Sequence, residues 1–233
     1  MNRVNAELRS QLRWRVPLYR SYFQYFLHCT NYQELIQYRR TGRRFDAIEV
    51  RGGPVIVCPD PEDAWFIFQE IWLDREYTRY YRGSPEVVID IGANIGVFTL
   101  LARHLWPRCR VHAYEPDPQN VVTLQSNLEH NQVEGVTVHN AAVSDAEGRR
   151  TLFQKGHSGW HSLYPEALGG PRSSVQVETV DLPAVIETAG GRIDLLKMDC
   201  EGAEWAILRD NEELLRAHIG YVAMEYHELN DAR

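Results

Sequence analysis

The sequence predicts an α/β protein built on a doubly wound, mostly parallel Rossmann-like sheet, and three observations carry that expectation. The stretch VVIDIGANIGVFTL, Val87 to Leu100, runs a buried strand through a glycine-bearing turn into a helix start. Strand–helix steps then repeat along the chain. Acids close the strands at Asp90, Glu115, Asp199 and Glu225, where open parallel sheets bind their ligands.

Composition bounds the reading. With 233 residues, 44% hydrophobic and 24% charged, the chain can bury a sizeable core. Cys29, Cys58, Cys109 and Cys200 are scattered, without the spacing of a zinc site or disulfide framework. Free thiols point to a reducing cytoplasm. No run of about 18 apolar residues suits a membrane span, and no export signal is evident. Residues 1–46 carry nine arginines against Glu7, Glu34 and Asp46, a charge of +6, which leaves −13 for the remainder. A body that acidic is a poor surface for nucleic-acid phosphates.

Residues 1–44 read as a helical accessory segment and residues 45–233 as the main domain. Residues 4–15 suit a first helix, stopped by Pro17. Leu12, Val16, Tyr19, Phe23 and Phe26 then form an aromatic stripe, expected to dock on the protein's own body or on a second copy. Asn31 and Glu34 resemble a capping box for a third helix, which Gly42 ends beside Arg39, Arg40, Arg43 and Arg44. Alternation from Phe45 to Cys58 around Gly52-Gly53 predicts a β-hairpin. Asp60 and Pro61 open a helix whose Ala64, Ile67, Phe68 and Ile71 share a face, with Glu70 and Tyr77 placed to cover a ligand.

After Pro107, Arg110–Tyr114 predicts a second strand, delivering Glu115-Pro116-Asp117-Pro118 and a helix with Val121, Leu124 and Leu128 inward. Val136–Val143 predicts a third strand. Thr151–Phe153 and Val175–Val180 are strand-like around the loop GHSGWHSLYPEALGGP, a candidate for contacting something variable. Asp181–Ala189 suits a short helix, Ile193–Met198 a fourth strand ending in Asp199-Cys-Glu201-Gly202, and Ile219–Tyr226 a fifth ending in Glu225-Tyr-His227.

The turn chemistry selects among ligands. A dinucleotide needs G-x-G-x-x-G, whereas Gly92 and Gly96 stand four apart behind Asp90, whose charge repels a pyrophosphate. S-adenosylmethionine, with a sulfonium and an ammonium against one carboxylate, profits from such acids. Glu115, 19 positions past Gly96, suits the ribose hydroxyls, Asp90 the methionine amine, and Asn94 a helix cap, with the glycines letting backbone approach.

The blocks VVIDIGANIGVFTLLAR, VHAYEPDPQNVVTLQSNLEHN, VHNAAVSDAEG and IDLLKMDCEGAEWAIL resemble, in order and separation, those of the FkbM-type S-adenosylmethionine-dependent methyltransferases, from about Phe45 to His227. The resemblance implies the class I methyltransferase fold and O-methylation of a sugar or natural-product hydroxyl, with S-adenosylhomocysteine as product. It assigns Asp90, Gly92, Ala93, Asn94, Gly96, Glu115 and Pro116 to the cofactor, Ala141 and Ala142 to the adenine, and Asp199 with Glu201 to the methyl-transfer end. This fold usually continues into a β-hairpin after the fifth strand, and only Glu228–Arg233 follows here, so the expectation is either a shortened sequence or a sheet edge supplied by a partner, since unpaired edges invite pairing. The N-terminal helices and that edge are the candidate contacts for a homo-oligomer.

In-line methyl transfer needs alignment and gains from a base. Asp199 is expected to position cofactor or acceptor, with Glu201 or His227, at neighbouring strand ends, taking the hydroxyl proton. No metal is assigned, although Asp199, Glu201, Glu225 and His227 are ligand types near one edge. The alternatives are a non-catalytic cofactor-binding scaffold using the basic aromatic N-terminal segment, and a nucleic-acid methyltransferase, for which no Asn/Asp-Pro-Pro-Tyr motif follows the fourth strand.

Overall fold

A computed structural model describes residues 20–154, 161–164, 173–209 and 211–227. The chain divides into two compact units, Met1–Pro61 and Glu62–Arg233.

In the first unit, α1 covers residues 20–28 and α2 covers Tyr32–Thr41, ended by Gly42 in the left-handed region at φ 73°. The hairpin strands β1 (Ala47–Glu49) and β2 (Val55–Val57) pair antiparallel. Two expectations change here. Asn31 does not cap α2; its amide nitrogen donates to the Ala47 carbonyl at 2.8 Å and its oxygen accepts from Glu49 N at 3.1 Å, so it stitches the helix start to the hairpin. In the aromatic stripe, Phe23 and Phe26 are exposed while Tyr25 and Cys29 are buried. The buried face of α1 is thus rotated away from the stripe. Leu12, Val16 and Tyr19, like the helix expected over residues 4–15, lie outside the described residues.

The second unit centres on five parallel strands in the order β11-β10-β3-β4-β5. These are β3 (Val87–Ile91), β4 (Arg110–Tyr114), β5 (Val136–His139), β10 (Leu195–Met198) and β11 (Val222–Met224). The predicted α/β class with a mostly parallel central sheet is borne out. The chain builds outward from β3 through β4 to β5, then returns on the other side of β3 with β10 and β11. The reversal places a ligand crevice at the C-terminal ends of β3 and β10.

All five residues of β3 are buried, the pattern of a strand covered on both faces. Helix α3 (Pro61–Phe68) passes into a π-helical turn over Gln69–Leu73 before β3. Helix α4 (Val97–Leu105) follows the glycine turn and buries Val97, Phe98, Leu100 and Leu101. Helix α5 (Pro118–His130) starts at Asp117, whose carboxylate accepts from Gln119 N and Asn120 N, with Pro118 in the first turn.

The strand expected over Val136–Val143 is two strands. The Asn140 amide donates to the carbonyls of Glu115 (3.0 Å) and Pro116 (2.9 Å), breaking the run, so β6 (Ala142–Ser144) leaves for a second sheet. That sheet, in the order β6-β9-β7-β8, adds β7 (Gly148–Gln154), β8 (His161–Ser162) and β9 (Ser173–Asp181), with β7 antiparallel to both β8 and β9. Helix α6 (Leu182–Thr188) is capped by Asp181, whose Oδ1 accepts from Ala184 N at 3.0 Å. Helices α7 (Glu204–Arg209) and α8 (Glu212–His218) lead from β10 to β11. Among the described residues no helix is long and apolar enough to cross a membrane.

Candidate active site

One cavity of about 760 Å³ opens over these strand ends. Of the predicted residues, Gly92, Ala93, Asn94, Glu115, Pro116, Ala141, Ala142, Asp199, Glu201 and His227 line it. Asp90 and Gly96 stand outside the lining.

The two glycines have different duties. Gly92 has φ 74°, and a Cβ there would sit 1.7 Å from the Asp199 carbonyl oxygen, so this glycine lets the end of β10 close on the end of β3. Gly96 has φ 89°, and its Cβ would meet Leu124 at 3.1 Å, a matter of α5 packing. Asn94 is not the cap of α4, which begins after Gly96 without a side-chain cap. It instead occupies the left-handed region at φ 50°, its Oδ1 accepting from Ile95 N at 2.7 Å. Its own N–H donates to Glu115 Oε2 at 2.8 Å, while Glu115 Oε1 accepts from Asp117 N (2.9 Å) and Asn120 Nδ2 (3.3 Å). Burial raises the Glu115 carboxyl above its ordinary range, and these donors oppose the rise. They also orient the carboxylate.

Asp90 is fully buried. Its Oδ2 accepts from Thr99 Oγ1 at 2.6 Å and its Oδ1 lies 3.2 Å from Lys197 Nζ. Lys197, which sequence reasoning passed over, also donates to the carbonyls of Gly92 (2.7 Å) and Ile91 (3.2 Å). Burial opposes its charge, but Asp90 and Asp199 hold the ammonium above its ordinary value. A charge in the otherwise apolar run Leu195–Met198 was the available signal.

Asp199 forms the centre of the acidic side. Tyr77 donates to its Oδ2 at 3.0 Å and lies 3.5 Å from Glu225 Oε2, and Lys197 Nζ is 3.9 Å from Asp199 Oδ2. Glu70 lines the cavity, whereas Tyr77 stands outside the lining and bonds two of its acids. Burial, then the charges of Glu225, Glu76 and Asp199, lift the Glu70 carboxyl to about 7.

Glu201 has left-handed backbone at φ 53°, its carbonyl held by Ser162 Oγ at 2.5 Å. Burial pushes its carboxyl up to about 7; His227 opposes that while Asp199, Glu225 and Glu204 add to it. The turn is capped by Glu204, wholly buried, which accepts from Cys200 N and Gly202 N, each at 2.9 Å. That leaves the Glu201 side chain to the cavity. His227 Nδ1 lies 3.1 Å from Glu204 Oε1, and Nε2 faces Glu201 Oε2 at 3.6 Å and Glu225 Oε1 at 3.7 Å. The hydrogen bond to Glu204 raises the imidazole to about 9 against its burial, with Glu201, Glu204 and Asp199 adding. His161 and Leu163, from the variable loop, also line the cavity.

The family model of the methyltransferase FkbM domain matches residues 90–233. The 31-O-demethyl-FK506 methyltransferase FkbM of Streptomyces tacrolimicus is 30% identical over 218 residues, covering 80% of this chain and 84% of that protein. Methyltransferase 1 of Beauveria bassiana is 31% identical over 163 residues, 62% and 66% of the two chains. Among solved structures, the precorrin-6y C5,15-methyltransferase of Geobacter metallireducens aligns with a TM-score of 0.38 at 15% identity, covering 62% of this chain and 55% of that one. With the matched family region spanning the glycine turn and both clusters of acids, the chain belongs to the FkbM-type methyltransferases.

Proposed function

We propose that the protein transfers a methyl group from S-adenosylmethionine to a hydroxyl oxygen of a small natural product or sugar. The observation that carries this reading is the single cavity shared by the oriented Glu115 carboxylate and the Asp199–Glu201–His227 group. The lining fits the cofactor: Glu115 offers oriented acceptors to a ribose, and Asp199, Glu70 and Glu225 present carboxyl groups whose ionised form a sulfonium and an ammonium would favour. When bound, S-adenosylmethionine supplies an electrophilic methyl carbon.

The chain's residues divide the remaining work. Asn94, Asp117 and Asn120 fix Glu115; Tyr77 and Lys197 fix Asp199. Asp90 acts from behind the wall, through Lys197, rather than by touching the methionine amine. With Nδ1 committed to Glu204 and Nε2 faced by two carboxylates, His227 is a donor; Glu201 is the group left to take the hydroxyl proton as the new C–O bond forms. A relative named for an O-demethyl acceptor supports oxygen as the target.

The test is transfer of labelled methyl to polyhydroxylated metabolites, with Asp199→Asn as the comparison. An acid-stable label on oxygen, and an Asp199→Asn protein that binds S-adenosylhomocysteine yet turns over at least about a hundredfold more slowly, fit the reading. Full turnover by that variant would remove Asp199 from the reaction. Binding of cofactor with no transfer to any acceptor favours the scaffold alternative.

A further inference from the structure

We propose that Asp199, Glu201 and His227 form a binding site for one divalent first-row cation. Each residue offers one ligand atom, and the three lie within 4.8 Å of one another. An ion about 2.0–2.2 Å from nitrogen and oxygen ligands holds them up to roughly 4.4 Å apart, so small side-chain movements suffice.

The set is more than a group of acids at a sheet edge. It includes an imidazole whose other nitrogen is already engaged: Nδ1 lies 3.1 Å from Glu204 Oε1. Glu204 lies behind the cavity wall, fully buried and fixed by two backbone N–H groups. Proteins use that carboxylate–histidine arrangement to aim the other ring nitrogen at a metal; the ion takes the place of the proton that Nε2 otherwise presents to Glu201 and Glu225. Here it aims Nε2 at Glu201 Oε2, with Glu225 Oε1 3.7 Å away as a further oxygen ligand.

The elements are also fixed. β10 and β11 are adjacent parallel strands in register at Met198↔Met224, so the three side chains come from paired ends. Ser162 pins the Glu201 carbonyl. The nearby ammonium of Lys197 is 3.9 Å from Asp199 but closer to Asp90, leaving the three carboxylates in excess of positive charge. One imidazole with carboxylates suits Mn²⁺, Fe²⁺ or Zn²⁺ better than an all-oxygen ion such as Ca²⁺.

Use of this ion in methyl transfer rests on the function proposed above; its binding does not. A hydroxyl bound to the cation becomes more acidic, and a Glu201 that gives the ion one oxygen keeps the other for the proton.

The probe is Mn²⁺ titrated into chelator-treated protein, with the resonance of the free aquo ion followed by electron paramagnetic resonance. One equivalent should disappear from the free signal. Glu201→Gln and His227→Gln, each checked for a native melting curve, should weaken binding by at least about tenfold, and Glu204→Gln by a similar factor through loss of the histidine's orientation. Glu178→Gln, an exposed acid on β9, serves as the control and should bind as the parent does. Unchanged free signal in the parent, or equal binding by Glu201→Gln and His227→Gln, overturns the site. Methyl transfer abolished by chelator and restored by Mn²⁺ supports the catalytic use, and transfer indifferent to chelator overturns that use. Mn²⁺ binding without transfer under any condition counts against the proposed function and leaves the site standing.

Discussion

Lys197 Nζ lies 3.2 Å from Asp90 Oδ1, and the two residues are direct neighbours in the register of β10 against β3, with side chains 2% and 0% exposed. The pair sits where the strand order reverses. Because the same ammonium donates to the Gly92 carbonyl, it ties the strand pairing to the turn that opens the cavity. Thr99 closes the network from α4.

Removing one member of that pair leaves the other as an unpartnered charge in a buried site. Lys197→Met is therefore expected to cost about 3–5 kcal/mol of stability, read from urea denaturation. Replacing Asp90 as well, by Asn, should return a large part of that loss. A single variant within about 1 kcal/mol of the parent would show that Asp90 is not held as a buried anion.

Gly92 and Gly190 both have positive φ, at 74° and 87°, but only Gly92 has backbone in the way of a Cβ. Gly190→Ala should cost about 1–2 kcal/mol, the conformational term alone. Gly92→Ala should cost at least about 2 kcal/mol more from overlap with the Asp199 carbonyl, and should abolish binding of S-adenosylhomocysteine in calorimetry. Equal losses at the two positions would mean that β10 yields freely.

The elements most legible in the sequence were those whose signal is local. Val87–Leu100 combines a run of buried residues with glycines, and Glu115 follows a strand at a set distance; both are where the pattern places them. What escaped depended on contacts between distant segments. Asn140 ends β5 by reaching the carbonyls after β4, so the stretch VTVHNAAV, which reads locally as one strand, is two strands in two sheets. Lys197 reads as one polar residue in a strand until β3 brings Asp90 beside it, and Glu204 reads as a surface acid until the Cys200 and Gly202 amides turn toward it. Asp90 reads as a ligand-facing acid until Lys197, 107 residues on, is seen beside it.

Asp117 gives an acid-range signature. It caps α5 through Oδ1, while Oδ2 meets Gln154 and His161 Nδ1, the latter at 3.0 Å. Burial alone would raise its carboxyl, but the bonds from His161, Gln154 and Gln119 N outweigh it and hold it at about 2. A carboxyl depressed in the folded state contributes stability above its unfolded value and loses it as pH falls through the folded one. The parent should lose about 2 kcal/mol from this group between about pH 4 and pH 2. Asp117→Asn should be less stable at neutral pH and show a shallower decline over that window, measured by urea midpoints at each pH.

Tyr77 separates positioning from folding. Its ring packs edge-on to Phe98 at 5.9 Å and lies 5.4 Å from Lys197 Nζ, contacts that Phe retains. Its hydroxyl, buried and beside Asp199 and Glu225, is held as a neutral donor with its acidity suppressed. Tyr77→Phe removes only the bond to Asp199 Oδ2 and the longer one to Glu225. Loss of a hydrogen bond to a charged acceptor is worth about 1.5–3 kcal/mol; felt in the transition state, it lowers kcat/KM roughly 10- to 100-fold, with the melting curve checking that the variant is still folded at the assay temperature. If Asp199 holds the acceptor in line, the loss should fall on kcat more than on KM, because alignment is spent in the transition state. A rise in KM at constant kcat would instead assign the Tyr77–Asp199 bond to uniform binding, and unchanged kinetics would show that Lys197 suffices to hold Asp199 in place.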